Sequence, residues 1–330
     1  MNENEYPIKY VEIKTCGRFY EERKKTKKLY KNANPEGIST EVEYVDTKDI
    51  SGDEKPLATV LCLHGAPGSH RDFAALIKHL TNKRVRVIAP NFPNYCITET
   101  TKVFRHSADE KAEYIKDFLD AIAVKKIDLL VTHSSAIYPS ALLWESNTSP
   151  DITAIAMINP SGHRRIKAMR PKIVTSPVVR VYQNKYGRFL VRKFGSHVLS
   201  VTGCAVKHNN MDNVILSATT MVYSRFKTLS KKLEAMKEKE VPVLLIYSDN
   251  DRLIENEIFD EMKSILGADE SNTEIFDETG ELMKPICGTE LPKAICLKGG
   301  GHYSHLKGRN PEIVNDAIYN LLENVVNNDY

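Results

Sequence analysis

Short, almost continuous apolar runs, separated by segments long enough to form helices, are the feature that most restricts the fold of this 330-residue chain. Such runs are typical of parallel strands that are covered on both faces. The six clearest runs are Thr59–Leu63, Val85–Ala89, Leu129–Val131, Ile152–Ile158, Val241–Tyr247 and Ala294–Leu297. β-branched and alternating residues predict two further strands at Tyr10–Thr15 and Ile38–Thr47. This order indicates right-handed βαβ units, and we predict an α/β protein with a mostly parallel, eight-stranded sheet and helices on both faces.

One interval between the predicted strands is too long for a single helix. Roughly eighty residues lie between Ile158 and Val241, and the strand pattern resumes unchanged after them. We therefore predict a core formed by residues 1–160 and 240–330, into which residues 161–239 are inserted as a helical cap. A second domain in tandem is disfavoured, because the sheet continues on both sides of the insertion.

Composition limits the classes to which the chain can belong. Hydrophobic residues at 42% and charged residues at 27% are ordinary for a globular protein. The amino terminus lacks the regions of a signal peptide, and no apolar run approaches the roughly 18 residues needed to span a bilayer. The cysteines form no Cys-x-x-Cys pair, so we predict reduced thiols, a cytoplasmic location and no metal or other cofactor. They are Cys16, Cys62, Cys96, Cys204, Cys287 and Cys296.

Three polar segments have a simple local interpretation. Ser107 and Glu110 form a capping-box pattern, followed by apolar residues at helical spacing, and so predict a helix start. The basic segment Arg18–Lys31 lacks the aromatic and glycine pattern of a nucleic-acid arm, so we predict a solvated helix or loop and no nucleic-acid partner. The acidic stretch Asp269–Glu281 is predicted to be a solvated loop, and pairing with the predicted cap is the alternative.

Chemically distinctive residues follow four of the predicted strands. In chain order they are His64-Gly65-Ala66-Pro67-Gly68, His133-Ser134-Ser135, Ser248-Asp249-Asn250-Asp251 and Gly301-His302. A serine between a buried strand and a helix suits a nucleophile, and carboxylate and imidazole groups suit its activation. The four segments together therefore indicate nucleophilic catalysis at strand ends.

In their order and their positions, these segments resemble those of the α/β-hydrolase superfamily, and the resemblance covers nearly the whole chain. Within it, the chain most resembles a nematode family of uncharacterised α/β-hydrolase-like proteins. The resemblance implies the α/β-hydrolase fold and a serine nucleophile at a tight strand-to-helix turn. Thr132 and Ala136 stand where the G-x-S-x-G motif of that turn has glycines, which puts catalytic efficiency in question more than the fold.

The resemblance implies particular roles for two of these residues. Ser134, rather than Ser135, occupies the centre of the turn and is the predicted nucleophile. His302 is the predicted base, since the three glycines before it permit a sharp, exposed loop. His305 is the alternative base. His133 is expected to be a neighbour of the nucleophile, because adjacent side chains leave a turn in different directions.

The acid and the oxyanion donors complete the predicted site. Asp251 matches the position of the family's acid, and Asp249 is the alternative. The backbone N–H groups of Ala66 and Ser135 are the predicted oxyanion donors.

These roles imply a serine hydrolase that cleaves a small or medium acyl ester, or a related acyl bond, through an acyl-enzyme. A serine in this place argues against epoxide or haloalkane hydrolysis, for which an aspartate nucleophile would be expected. The alternative from another class is a catalytically inactive hydrolase-fold protein that binds a ligand or partner through its cap.

The predicted cap carries a strong local charge. Between Ser161 and Asn210 it has eleven Lys or Arg residues and no Asp or Glu. Ser176 and Pro177 indicate a helix start, and six apolar residues then share one helical face. They are Val178, Val179, Tyr182, Tyr186, Phe189 and Leu190. Three interpretations remain open: the face covers the active site, the bases attract an anionic acyl substrate, or the helix lies on an acidic membrane surface.

Overall fold

A ten-stranded sheet forms the centre of the computed structural model, which describes residues 6–51, 56–94, 103–145, 150–169, 172–201, 211–224, 226–286 and 291–328. The strand order across the sheet is β1-β2-β4-β3-β5-β6-β7-β10-β8-β9. The strands are β1 Ile8–Thr15, β2 Ile38–Asp46, β3 Thr59–Leu63, β4 Arg86–Pro90, β5 Lys126–His133, β6 Asp151–Ile158, β7 Val243–Ser248, β8 Thr273–Phe276, β9 Leu282–Lys284 and β10 Ala294–Leu297.

The middle of the sheet is parallel, from β4 through β8, while β1, β2 and β9 join it by antiparallel pairing. Residues Val60–Leu63 and Ala154–Ile158 are buried without alternation, as parallel strands covered on both faces should be. Strands β3, β5, β6, β7 and β10 are mutually parallel, so their carboxyl ends share one edge of the sheet. The four chemically distinctive segments leave the sheet at that edge.

The number of strands differs from the eight predicted, although all eight are present. Of the two additional strands, β8 lies within the acidic stretch for which a solvated loop was predicted, and β9 begins directly after that stretch. Thr273 pairs with Ala294 of β10 and is buried. The turn that follows is closed by the Asp277 carboxylate, which accepts from the backbone N–H groups of Thr279 and Glu281. This edge hairpin is short and half exposed, so it lacks the apolar run that predicted the other strands.

Helices cover both faces of the sheet. The α-helices of the described residues are α1 Gly17–Lys24, α2 Ala74–Asn82, α3 Ala108–Ala121, α4 Ile137–Trp144, α5 Lys172–Tyr182, α6 Lys185–Val201, α7 Met211–Tyr223, α8 Phe226–Glu238, α9 Asn256–Leu266 and α10 Asn310–Asn328. One apolar cluster joins the sheet to α3, α4, α8 and α9, and the other joins it to α2 and α10. Among the described residues, none of these helices has the length and apolar character needed to cross a bilayer.

Helix α3 begins with the predicted capping box. The Ser107 hydroxyl accepts from the N–H of Glu110, and the Glu110 carboxylate accepts from the N–H of Ser107. The same carboxylate also receives the backbone N–H of Arg105 and the hydroxyl of Tyr20, so it links α3 to α1. Because Glu110 is completely buried, its pKa is raised to about 7 even though these donors favour the charged form.

Helices α5 to α8 lie between β6 and β7, within the residues predicted as the cap. The predicted helix start at Ser176 and Pro177 is wrong, since α5 begins at Lys172 and contains Pro177. The six apolar residues also do not form one helical face, because α5 ends at Tyr182 and a separate helix, α6, begins at Lys185. Asn184 caps α6 by accepting the N–H of Tyr186 on its side-chain oxygen.

The break between α5 and α6 depends on Gly187. A Cβ atom at this position would lie only 2.2 Å from the carbonyl oxygen of Val181, so the two helices approach each other more closely than any other residue type would allow. Val179 and Tyr182 on α5 are buried, whereas Tyr186 and Phe189 on α6 are exposed. The basic positions 170 and 207 lie outside the described residues.

Candidate active site

Ser134 lies at the carboxyl end of β5, at the start of a short 3-10 turn, Ser134–Ala136, that leads into α4. Its φ angle is +54°, a left-handed conformation that is uncommon for any residue other than glycine. Such a strained turn directs the side chain away from both the strand and the helix. The hydroxyl is therefore held at the edge of the sheet where the other distinctive segments meet.

His302 lies next to Ser134, in the loop after β10. The Ser134 hydroxyl and His302 Nε2 are 2.8 Å apart, and His302 Nδ1 lies 2.7 Å from Asp251 Oδ2. Because a carboxylate only accepts hydrogen bonds, Nδ1 is the donor, which leaves Nε2 of the neutral ring to accept from the hydroxyl. The loop turns sharply at Gly301, whose φ angle is +72°.

The carboxylate in contact with His302 belongs to Asp251, whose side chain is fully buried. Its Oδ1 accepts from the backbone N–H groups of Leu253 and Ile254, and its Oδ2 also accepts from the side-chain amide of Asn159. Asp249, the alternative acid, instead accepts the backbone N–H of Gly299. The structure therefore brings together Ser134, His302 and Asp251, the three residues predicted as a triad.

The other two histidines of this region have different contacts. His133 Nε2 donates to the backbone carbonyl of His302 at 3.1 Å, so His133 braces the predicted base from behind. His305 packs against the rings of His133 and Phe73. Burial holds the pKa of His133 well below its usual value and lowers that of His305 to about 4, so both rings are neutral at neutral pH.

The loop after β3 packs directly against the nucleophile. A Cβ atom on Gly65 would lie 2.9 Å from Cβ of Ser134, so only glycine allows this approach. His64 fixes the loop by accepting the N–H of Phe92 on Nε2 and donating from Nδ1 to the carbonyl of Gly65. Burial lowers the pKa of His64 to about 3, which keeps this tautomer neutral. The Tyr303 hydroxyl donates to the carbonyl of Pro67 and joins this loop to the His302 loop.

The model of the family described as "Alpha/beta hydrolase of unknown function (DUF1057)" matches residues 22–323, which is most of the chain. The chain belongs to this family. The resemblance to the α/β-hydrolase superfamily is thereby confirmed.

Two curated relatives match parts of this α/β hydrolase. An uncharacterized protein of Caenorhabditis elegans, F35H12.5, is 25% identical over 146 residues, which are 42% of this chain and 40% of the relative. An uncharacterized hydrolase of Saccharomyces cerevisiae, YNR064C, is 34% identical over 73 residues, 22% of this chain and 25% of the relative. The matched stretches thus span less than half of either relative.

Solved structures share the fold over almost the full length. A thermophilic esterase from Thermogutta terrifontis has a TM-score of 0.59 at 15% identity, with 96% of this chain and 99% of that chain covered. An epoxide hydrolase from hot-environment metagenomes has a TM-score of 0.54 at 16% identity, with 96% and 98% covered. At such low identity these likenesses confirm the α/β-hydrolase fold and nothing finer.

The two departures from the family's glycines are accommodated without displacing the turn. Thr132 lies in the interior of β5, paired with Leu63 and Met157 of the neighbouring strands, and is completely buried. Its hydroxyl has no hydrogen-bond partner in the described part of the chain. Ala136 packs into the apolar cluster around α4, so its methyl group fills space that a glycine would leave empty.

Sequence reasoning missed three polar residues that contact the site. Ser161 lies with its hydroxyl 3.3 Å from that of Ser134. Asn159 bridges Asp251 and the carbonyl of Gly301, and it accepts the hydroxyl of Ser304. Asn159 and Ser161 directly follow β6, so the signal was the same as for the other segments: polar residues after a buried parallel strand. Ser304 had no such signal beyond its closeness to His302.

The predicted oxyanion donors remain a prediction with a geometric basis. Ser135 is the second residue of the helical turn, where backbone N–H groups have no acceptor within the helix. Ala66 follows Gly65, the residue that packs against Ser134. The N–H groups of Ala66 and Ser135 therefore stay the predicted donors to a developing oxyanion.

In the described ranges, no group of three or more His, Cys, Asp or Glu side chains is placed so that it could hold a metal ion. Cys16, Cys62 and Cys296 are buried and unbridged. Cys96, Cys204 and Cys287 lie outside the described residues.

Proposed function

We propose that this protein is a serine hydrolase that cleaves a small or medium acyl ester, or a related acyl bond, through an acyl-enzyme. The observation that carries the proposal is the continuous hydrogen-bond path from the Ser134 hydroxyl through His302 to Asp251. The left-handed backbone of Ser134 supports it, since strain of this kind is typical of functional positions.

The arrangement would act in two half-reactions. Ser134 Oγ attacks the acyl carbonyl carbon while its proton passes to His302 Nε2, and the negative charge on Asp251 stabilises the imidazolium. The oxyanion accepts hydrogen bonds from the N–H groups of Ala66 and Ser135. His302 then protonates the leaving oxygen as the acyl bond breaks. Water, deprotonated by the same imidazole, attacks the acyl-serine ester and releases the acid.

The nucleophile separates this proposal from other chemistry on the same fold. Epoxide and haloalkane hydrolysis would proceed through an alkyl ester formed on an aspartate. Ser134 occupies the position of that nucleophile, and an alkyl ether formed on serine could not be hydrolysed in the same way. Acyl transfer is therefore the reaction that these residues support best.

Lys111 supports an acyl substrate with a negative charge. It lies on α3, is only 2% exposed, and places its ammonium group 4.8 Å from the centre of the Phe92 ring. Phe92 in turn contacts His64, which precedes the oxyanion loop. Burial lowers the pKa of Lys111 to about 7, and a substrate carboxylate would supply a counter-charge.

The test is labelling of the purified protein with a fluorophosphonate probe. The native protein should react, and Ser134→Ala should abolish the reaction. The matched control is Ser135→Ala, which removes the neighbouring hydroxyl but keeps the backbone N–H and should still react. Persistent labelling of the Ser134→Ala protein would contradict the assignment of the nucleophile.

The inactive alternative makes a different prediction in the same experiment. A natively folded protein that fails to label and hydrolyses none of a panel of nitrophenyl esters would favour ligand or partner binding through the cap. Its folding would be verified by circular dichroism and a cooperative thermal transition. The contact of α7 with the Ser134–Ala136 turn is compatible with either role for the cap.

A further inference from the structure

The outer face of α6 exposes large apolar side chains in a regular pattern. Tyr186 is 81% exposed, Phe189 63%, Leu190 52% and Phe194 53%. Tyr186, Leu190 and Phe194 recur every four residues and therefore form one row along the helix, with Phe189 beside it. Isolated exposed apolar residues are ordinary, but a contiguous patch on one helix marks an interaction surface.

The contacts of the inner face of α6 fix the rotation of the helix about its axis. They therefore determine that the aromatic side chains are exposed. Gly187 lies against Val181 of α5, as described above. The buried Arg188 donates from Nε to the carbonyl of Tyr182 and lies 5.7 Å from the centre of its ring. Val191 packs against the small apolar cluster between α5 and α7. The helix thus buries a glycine and an arginine and turns its aromatic residues outwards.

The charges around the patch are positive. Lys185 and Lys193 are exposed and flank Phe189 at four-residue spacing on the same face. The nearby Arg192 is neutralised by a two-bond contact with Asp212 at 2.8 and 2.6 Å. No acidic residue occurs anywhere in the sequence from Ser161 to Asn210. An apolar row bordered by lysines is complementary to a surface that has anionic groups on the outside and an apolar interior behind them.

We propose that α6 docks this protein on the surface of an anionic lipid bilayer. The helix would lie parallel to the membrane, with Phe189, Leu190 and Phe194 inserted among the acyl chains and Lys185 and Lys193 at the phosphate level. A second copy of the chain fits less well, because an isologous contact through this face would bring the same lysines together. The proposal does not depend on the catalytic function of Ser134.

Vesicle flotation with the full-length protein tests the proposal. The protein should float with vesicles of three parts phosphatidylcholine to one part phosphatidylserine at low salt. It should bind phosphatidylcholine vesicles at least tenfold more weakly, and 0.5 M NaCl should reduce binding to the anionic vesicles, because lipid charges are screened within a Debye length.

Two variants separate the apolar from the electrostatic contribution. Phe189→Ser with Leu190→Ser should reduce binding to both kinds of vesicle by more than tenfold. Lys185→Gln with Lys193→Gln should reduce mainly the preference for anionic lipid, by about fivefold for each lysine. The matched control is Leu282→Ser with Met283→Ser, which removes two exposed apolar residues from β9, 47% and 59% exposed, and should bind like the native protein.

Three results would overturn the proposal. The native protein could fail to float with anionic vesicles at low salt, or the β9 control could lose binding as much as the α6 variant. Light scattering could also show a dimer that the Phe189→Ser, Leu190→Ser protein cannot form, which would assign the face to a second copy. Ser134→Ala should float normally, so a failure of the catalytic proposal would leave this result unchanged.

Discussion

The catalytic edge of the sheet and the outer face of α6 differ in where their side chains find partners. Around Ser134, the polar groups of His302, Asp251 and Asn159 are buried and bonded to one another or to backbone. On α6 the large apolar groups of Tyr186, Phe189, Leu190 and Phe194 are more than half exposed. The polar groups of the first region find their partners within the chain, whereas the proposed docking would give the second region a partner on association. Substitutions should therefore affect chemistry in one region and binding in the other.

Asp251→Asn tests the catalytic side of this comparison and has the largest expected effect. An asparagine can still accept the backbone N–H groups of Leu253 and Ile254 but cannot stabilise an imidazolium, so kcat for a reactive ester should fall by about 10⁴-fold. Asp249→Asn is the matched control and should stay within a few-fold of the native rate. A larger loss in Asp249→Asn would make Asp249 the acid. Vesicle binding should be unchanged in both.

Glu110→Gln tests how the contribution of the buried Glu110 carboxyl to stability depends on pH. Its folded pKa of about 7 lies above the usual 4.5, so between these values the native state binds more protons than the unfolded state. The stability from this group is therefore present below about pH 4.5 and is lost as pH rises to 7. The native protein's advantage over Glu110→Gln in urea unfolding should fall by about 3 kcal/mol across that window. An advantage that grows with pH would contradict this sign.

Lys111→Met tests the buried ammonium group that lies against the Phe92 ring. The proposed carboxylate contact predicts that kcat/KM for a nitrophenyl hemiester of a dicarboxylic acid falls at least tenfold, because charged hydrogen bonds contribute about 1.5–3 kcal/mol. The rate for neutral nitrophenyl butyrate should change little. Lys116→Met, on the same helix but partly exposed, should alter neither rate. An equal loss for both esters would assign Lys111 a purely structural role.

Thr132→Val has the smallest expected effect. It exchanges a buried hydroxyl without a partner in the described chain for a methyl group of the same shape, so the free energy of unfolding should stay level or rise by about 1 kcal/mol. Probe labelling should keep its rate within about twofold. A clear loss of labelling would show that the threonine hydroxyl contributes to the site.

The parallel core could be predicted because each of its strands is buried on both faces and so carries an uninterrupted apolar run. The segments that carry Ser134, Asp251 and His302 were expected to lie close together, because the segments after successive parallel strands meet at one edge of the sheet. The choice of these three residues came from the resemblance to the α/β-hydrolase superfamily. Asp251 was preferred to Asp249 because it matches the position of the family's acid. Both residues follow β7, and their contacts differ: Asp251 lies against His302, and Asp249 accepts the N–H of Gly299.

The errors have local causes. The apolar pattern from Val178 to Leu190 continues at helical spacing across a break that depends on the capping amide of Asn184 and the close approach at Gly187. Periodicity records which residues are apolar but not where a helix changes direction. The edge hairpin of β8 and β9 was missed for the opposite reason, because strands that are half exposed need few apolar residues.

The hydrogen bond from the Tyr303 hydroxyl to the carbonyl of Pro67 restricts the movement of the two loops beside the site. It joins the loop that carries His302 to the loop after β3. His133, at the end of β5, also binds the backbone of the His302 loop. Neither loop can swing aside alone without breaking these bonds. We therefore expect substrate entry and product release to depend on motion of α7, which contacts the Ser134–Ala136 turn.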